Sequence, residues 1–180
     1  MKRDQGKKQI YNILIIILIL ITVAAVSVTA WTLLSQKNTN TTGLIPDYAP
    51  QEEEPNAESI PDDSNEKMEN PEGGGSVSLV YSREVSISLS NESAELLFMN
   101  PGKSNQDMIL QIVIQDVVVA QSGILKAGNQ ITELELMSEV VGKLSDGIYE
   151  GNFNILYYDP ETGEKAIVNT EIPVTITVTN

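Results

Sequence analysis

Residues 144–178 read LSDGIYEGNFNILYYDPETGEKAIVNTEIPVTITV, and this stretch decides the fold. Ile172, Val174, Ile176 and Val178 alternate with polar residues, so they share one face of a strand, where side chains repeat with period two. Residues 148–158 form the longest candidate strand. Between the two lies Asp159-Pro160-Glu161-Thr162-Gly163. There proline presets φ, glycine supplies left-handed backbone, and aspartate bonds its own main chain, which is the chemistry of a turn. Residues 166–168 then open the return of a hairpin.

The same rhythm extends toward the N-terminus. Val85, Ile87 and Leu89 alternate with polar residues, and Asn91-Glu92 turns the chain. Ala94, Leu96 and Phe98 follow, stopped by Asn100-Pro101-Gly102. Met108, Leu110, Ile112 and Ile114 line another face. Residues 117–121 come next and, after Gly128-Asn129, residues 131–136. Residues 77–81 add a further segment. Seven to nine short strands in about 105 residues, with turn signals every 8–12, predict an all-β, antiparallel two-sheet sandwich over residues 76–180. Only residues 137–144 have room for a short helical turn.

Gly147 and Tyr149, in the run Leu144-Ser145-Asp146-Gly147-Ile148-Tyr149, are the two residues with a predicted structural role. The run resembles the tyrosine corner of immunoglobulin-like folds, in which a tyrosine hydroxyl bonds back to upstream backbone. Gly147 suits the tight corner. Gly151 stands where such domains carry their second cysteine, and the domain has no tryptophan. The resemblance is therefore to cysteine-free immunoglobulin-like or fibronectin-like sandwiches. The whole layout, and residues 156–178 in particular, resembles small single-pass membrane proteins of Gram-positive bacteria with an extracellular immunoglobulin-like domain, some of them associated with conjugative mobile elements. That resemblance implies a location and a fold, and no catalytic residue.

Composition narrows the function. The 180 residues include 11 Lys+Arg and 25 Asp+Glu, a net charge of -14, with no histidine and no cysteine. There is no imidazole or thiolate metal site, no cysteine nucleophile, no Ser-His-Asp triad and no disulfide. The negative charge excludes wrapping of nucleic-acid phosphates. No cofactor, metal or catalytic residue is expected, and the chain is read as non-enzymatic.

The charge falls into three blocks. Residues 1–35 carry a net +3, residues 36–75 a net -8 and residues 76–180 a net -9. Residues 13–34 contain no charge at all. As a helix they would reach roughly 33 Å, enough for a hydrocarbon core of about 30 Å. Tyr11 and Trp31 fall near the ends of this run, where amphipathic aromatics favour the membrane interface. Lys2, Arg3, Lys7 and Lys8 precede it, so the positive-inside rule places residues 1–12 in the cytoplasm and the C-terminal domain outside. Basic start, apolar run and Val28-Thr29-Ala30 also fit a cleaved signal peptide, but the run continues through Leu34, which favours an uncleaved anchor. Without cysteine there is no lipoprotein.

Residues 35–75 are rich in Pro, Glu, Asn, Asp and Gly and are expected to be a disordered acidic linker, because they have little to bury against their ordering entropy. Ser64-Asn65-Glu66-Lys67 matches the Ser-x-x-Lys of penicillin-binding proteins, without the Lys-Thr-Gly that such enzymes add. Asp159, Glu161 and Glu164 are a candidate Ca²⁺ group, weighed against plain turn chemistry. Pro160-Glu161-Thr162-Gly163 lacks the leucine of a sortase signal. Asn40-Thr41-Thr42 and Asn91-Glu92-Ser93 fit the N-glycosylation pattern. The expectation is a membrane-anchored, extracytoplasmic module that binds or scaffolds a membrane-proximal protein, in a cell-envelope or conjugation assembly. The alternative is a surface ligand-binding module for carbohydrate or Ca²⁺. No residue pattern sets an oligomeric state.

Overall fold

The longest ladder joins β8 (Gly147–Tyr158) to β9 (Lys165–Thr179), antiparallel, from Gly147↔Val178 to Tyr158↔Lys165. The computed structural model to which it belongs describes residues 45–64, 66–71 and 74–180. The expected cytoplasmic segment over residues 1–12 and membrane span over residues 13–34 lie outside the described residues. Among the described residues no helix is long and apolar enough to cross a membrane.

The remaining strands are β1 (Glu58–Ser59), β2 (Val80–Tyr81), β3 (Glu84–Ser88), β4 (Ser93–Asn100), β5 (Asp107–Ile114), β6 (Val117–Gln121) and β7 (Asn129–Glu135). They join in the order β1-β7-β4-β3-β9-β8-β5-β6, with β2 added to β4. One short helix, α1 (Ser138–Val141), bridges β7 to β8. The chain is all-β. Two details differ from the expected pair of antiparallel sheets. The described strands follow one continuous hydrogen-bonded path, which curls so that Ala120 on β6 meets Leu136 just after β7. And β3 runs parallel to β9, from Glu84↔Thr175 to Ser88↔Thr179. β3 pairs with β4 on its other side and so links the two halves of the curl.

Proline explains where that parallel pairing stops. Thr175 N–H points toward β3 and donates to Arg83 O at 2.8 Å. By period two, Pro173 would present its nitrogen to the same side, and it has no hydrogen to give. A proline is tolerated on such an edge and ends the ladder.

The core follows from the alternation. Val85 and Ile87 of β3, Phe98 of β4, Leu110 and Ile112 of β5, Phe153 and Ile155 of β8, and Val174 and Ile176 of β9 are all buried in one cluster. Phe98 and Phe153 meet edge to face at 6.1 Å between ring centroids. Such pairs contribute about 0.5–1.5 kcal/mol beyond their buried area. Gly151 is needed where β8 crosses β5. A Cβ there would lie 2.6 Å from Val113 O and would collide with Ile176 Cδ1.

The expected disordered linker is where the structure departs most from composition. Its described part, residues 45–64, 66–71 and 74–75, lies along the domain as a strap, and β1 is part of it. Ala49 N donates to Gly163 O at 2.7 Å, Lys165 N to Asp47 O at 2.9 Å and Ile60 N to Gly128 O at 2.9 Å. Further on, Met68 N donates to Lys103 O at 2.9 Å and Asn105 Nδ2 to Asn70 Oδ1 at 2.7 Å. The reason lies on the outer face of β5 and β8. Ile109, Leu156 and Tyr158 point away from the main core and form a second cluster with Ile124, against which Ala49 packs. Outward apolar residues require cover, and the strap supplies it.

Candidate functional site

The domain has two ends with different chemistry. One end carries the strap, the turn Asp159–Gly163 and the segment from Ser122 to Asn129. The other carries the β3–β4 and β5–β6 turns, the loop around α1 and the C-terminus.

At the strap end the central contact is Glu54. Its carboxylate accepts Gly123 N at 2.7 Å on Oε2 and Asn56 N at 3.0 Å on Oε1. Glu54 N donates to Ile124 O at 3.0 Å, and Ile124 N to Glu52 O at 3.1 Å. Glu54 is buried. A buried carboxylate is tolerated because backbone N–H groups replace its water. Gly123 permits the approach, since a Cβ there would lie 2.8 Å from Glu54 N and 2.9 Å from Glu53 O. Neighbouring Lys126 pairs with Glu53, both well exposed. Asp107, half-buried close by, is raised above the usual carboxylate range, chiefly because burial removes its water and against the pull of Ala127 N–H and Lys126. The Tyr158 hydroxyl donates to Pro46 O at 3.0 Å. Burial, and then the nearby Asp47 charge, push its pKa up to about 12.

Beside the strap's start is an open cleft lined by Asp47, Tyr48, Glu164, Lys165, Ala166 and Ile167. Its charged groups form no paired acid and base. Tyr48 and Val168 are exposed, and Ile167 is fully so. Ile167 and Val168 fall where the β8–β9 register shifts, between the pairs at Leu156 and Tyr158, so they project rather than pack.

At the opposite end the β5–β6 hairpin closes between Ile114 and Val117, with Gln115 at φ 49° and Asp116 at φ 64°. Two successive left-handed residues form the two-residue turn that suits strand twist, normally supplied by Asn-Gly. Gln115 has neither a missing Cβ nor a short polar chain to ease that conformation. Val117 is 49 % exposed and Ile148, at the same end, 75 %.

The sequence-predicted residues are placed as follows. Gly147 has φ 155°, a conformation that side chains other than glycine rarely adopt. The Tyr149 hydroxyl donates to Ser145 O at 2.9 Å. That bond is local and exposed, closing the loop before β8 rather than spanning the core. Asp159 Oδ1 accepts Thr162 N at 2.8 Å and Glu161 N at 2.9 Å, and these bonds hold its carboxyl below the usual range. It is engaged in its own turn. Among the described residues no group of three or more acidic, histidine or cysteine side chains is placed to hold a metal. Ser64 and Lys67 are not brought together: the serine hydroxyl accepts Glu66 N at 3.2 Å, while Lys67 Nζ donates to Ser104 O at 2.7 Å. Among the described residues the aromatics form no exposed row, because Phe98, Phe153, Tyr157 and Tyr158 are buried.

Sequence reasoning missed Glu54, Gly123 and the Gln115-Asp116 turn. The usable signals were Ala49 and Ala57 among the strap's acids and the lone glycine after Ser122.

No family model and no curated protein matches the chain. Among solved structures it is similar to AggA, the major subunit of aggregative adherence fimbriae type I from Escherichia coli, with 9 % identity, a TM-score of 0.30, and coverage of 62 % of this chain and 100 % of that one. At that score the likeness carries no argument.

Proposed function

We propose that this chain is a single-pass membrane protein whose C-terminal part is a non-catalytic, extracytoplasmic module that binds or scaffolds another membrane-proximal protein. The scaffold is read as an immunoglobulin-like sandwich. Its strand order supports that reading, with β7-β4-β3 on one side, β9-β8-β5-β6 on the other and β3 shared. The hydroxyl bond from Tyr149 just before the long late strand supports it too.

One observation carries the binding role: the strained turn at Gln115 and Asp116, flanked by exposed Val117 and accompanied at the same end by exposed Ile148. Left-handed non-glycine residues each cost on the order of 1–3 kcal/mol, and such strain gathers at functional sites. Nothing in the core requires Gln115 there, since an Asn-Gly pair would close the same hairpin with less strain. Side-chain choice at an exposed tip, against local preference, points to a surface read by a partner. Membership of a cell-envelope or conjugation assembly follows from the resemblance of the whole layout.

The test is photo-crosslinking in the native cell from position 117, with captured proteins identified. Val117→Asp and Ile148→Asp change only exposed side chains and are expected to abolish capture while the domain melts normally. Capture that survives both substitutions refutes this surface.

A further inference from the structure

Apolar side chains gather where the chain leaves the described fold. Ile45 and Tyr48 lie at the strap's start, and Tyr48 pairs with Glu164 beside Ile167 and Val168. Backbone bonds from Ala49 N to Gly163 O and from Lys165 N to Asp47 O hold the two segments together. All four apolar side chains are exposed, Ile45 by 50 %, Tyr48 by 62 %, Val168 by 71 % and Ile167 completely.

The strap changes the length of chain between this patch and the uncharged run over residues 13–34. If residues 35–75 were all free, the domain would hang on about 40 residues, with a root-mean-square reach of roughly 35 Å. With the strap docked, the folded unit begins at Ile45 rather than at residue 76. Eleven steps separate Leu34 from Ile45, and on the same chain statistics they would span roughly 18 Å root-mean-square, about half as far. So short a connection keeps the local concentration of the patch at its own membrane very high, and weak intrinsic affinity then suffices.

We propose that Ile45, Tyr48, Ile167 and Val168 form a membrane-contact patch that seats in the interface of the bilayer anchoring the chain. The proposal rests on the anchor reading of residues 13–34. The occupant is lipid rather than protein for two reasons. The patch includes the first residues of the strap, and Ile167 and Val168 project from a register shift as separate knobs. A fluid interface accepts such knobs without a matching shape, and tyrosine with branched aliphatics suits that depth. Asp47 on the strap, Asp159, Glu161 and Glu164 between β8 and β9, and Glu171 on β9 are acidic, against Lys165 alone. The contact therefore favours zwitterionic over anionic lipid, and added salt narrows that preference by screening.

The chain has no cysteine, so one introduced thiol can be labelled cleanly. Asn169→Cys reports on the patch and Ser145→Cys on the opposite end. Each full-length variant, labelled with an environment-sensitive fluorophore, is reconstituted in phosphatidylcholine vesicles carrying nitroxide on the upper acyl chain. Quenching is expected to be several-fold stronger at position 169 than at 145. Adding Ile167→Asp and Val168→Asp to the position-169 variant is expected to reduce it to the position-145 level, and anionic phosphatidylglycerol to weaken it at low salt. Equal quenching at both positions, in protein that floats with the vesicles, overturns the patch and leaves the anchor standing. Quenching that persists after both aspartates are added also overturns the patch. Protein that does not float with the vesicles refutes the anchor reading and, with it, this proposal.

Discussion

Gly123→Ala tests whether the acidic strap is part of the fold. The added Cβ would sit 2.8 Å from Glu54 N and 2.9 Å from Glu53 C and Glu53 O, all backbone atoms that cannot rotate away. Alanine strains nothing else, since Gly123 is not among the glycines with positive φ. The strap must therefore lift locally. Lifting breaks Glu54 N to Ile124 O and Ile124 N to Glu52 O, neutral bonds with a net value of about 1 kcal/mol each. It also breaks Gly123 N to the Glu54 carboxylate, a charge-assisted bond of about 1.5–3 kcal/mol. Replacing glycine returns roughly 0.4–1 kcal/mol by narrowing the unfolded ensemble. The expected net cost is about 2.5–4.5 kcal/mol, confined to the strap. Native-state hydrogen exchange reads it directly: Glu54 and Ile124 amides should lose protection while Leu110 and Phe153 keep theirs. Gly142→Ala is the control, because nothing lies within 4 Å of a Cβ there and its φ is -80°. If Gly123→Ala leaves protection at Glu54 and Ile124 at the wild-type level, the strap is not held as described and the reasoning fails.

Other expectations are checked by similar means. Tyr149→Phe removes an exposed, local bond, so urea melts should show a loss of only about 0.5–1.5 kcal/mol, whereas Phe98→Ala in the core should cost roughly 3–5 kcal/mol. Gly151→Ala forces β8 away from β5 and should cost about 1–3 kcal/mol as overpacking, visible in the same melts. Asp116→Gly relieves left-handed strain and should stabilise the domain by roughly 0.5–1 kcal/mol while weakening partner capture; unchanged capture would count against the turn as a binding feature. Tyr158 holds its proton to about pH 12, whereas the unfolded chain releases it near 10, so its contribution to stability should fall as pH rises from about 10 to 12. Absorbance titration should show two late phenols, Tyr157 and Tyr158, and Tyr158→Phe should remove the later one.

The periodicity of residues 144–178 was enough to read strands, hairpin and an all-β class, because burying one face of a strand writes a period of two into the side chains. The same holds for the core residues of β3, β4 and β5, whereas the run at Gly147 and Tyr149, singled out for a corner, makes a local bond to Ser145 rather than one across the core. The parallel β3–β9 pairing was not legible, since partner choice depends on residues far apart in sequence, though Pro173 already marked where pairing had to stop. The strap was hidden for a different reason. Residues 45–64 dock mainly through backbone N–H and C=O groups, which every residue has and no composition reveals. Their side chains, rich in acids and prolines, read as solvated because most of them are. Only the tertiary structure brings Glu54 to Gly123 and Ala49 to the outer face of β8, where Leu156 and Tyr158 needed cover, and so turns an apparent spacer into part of the domain.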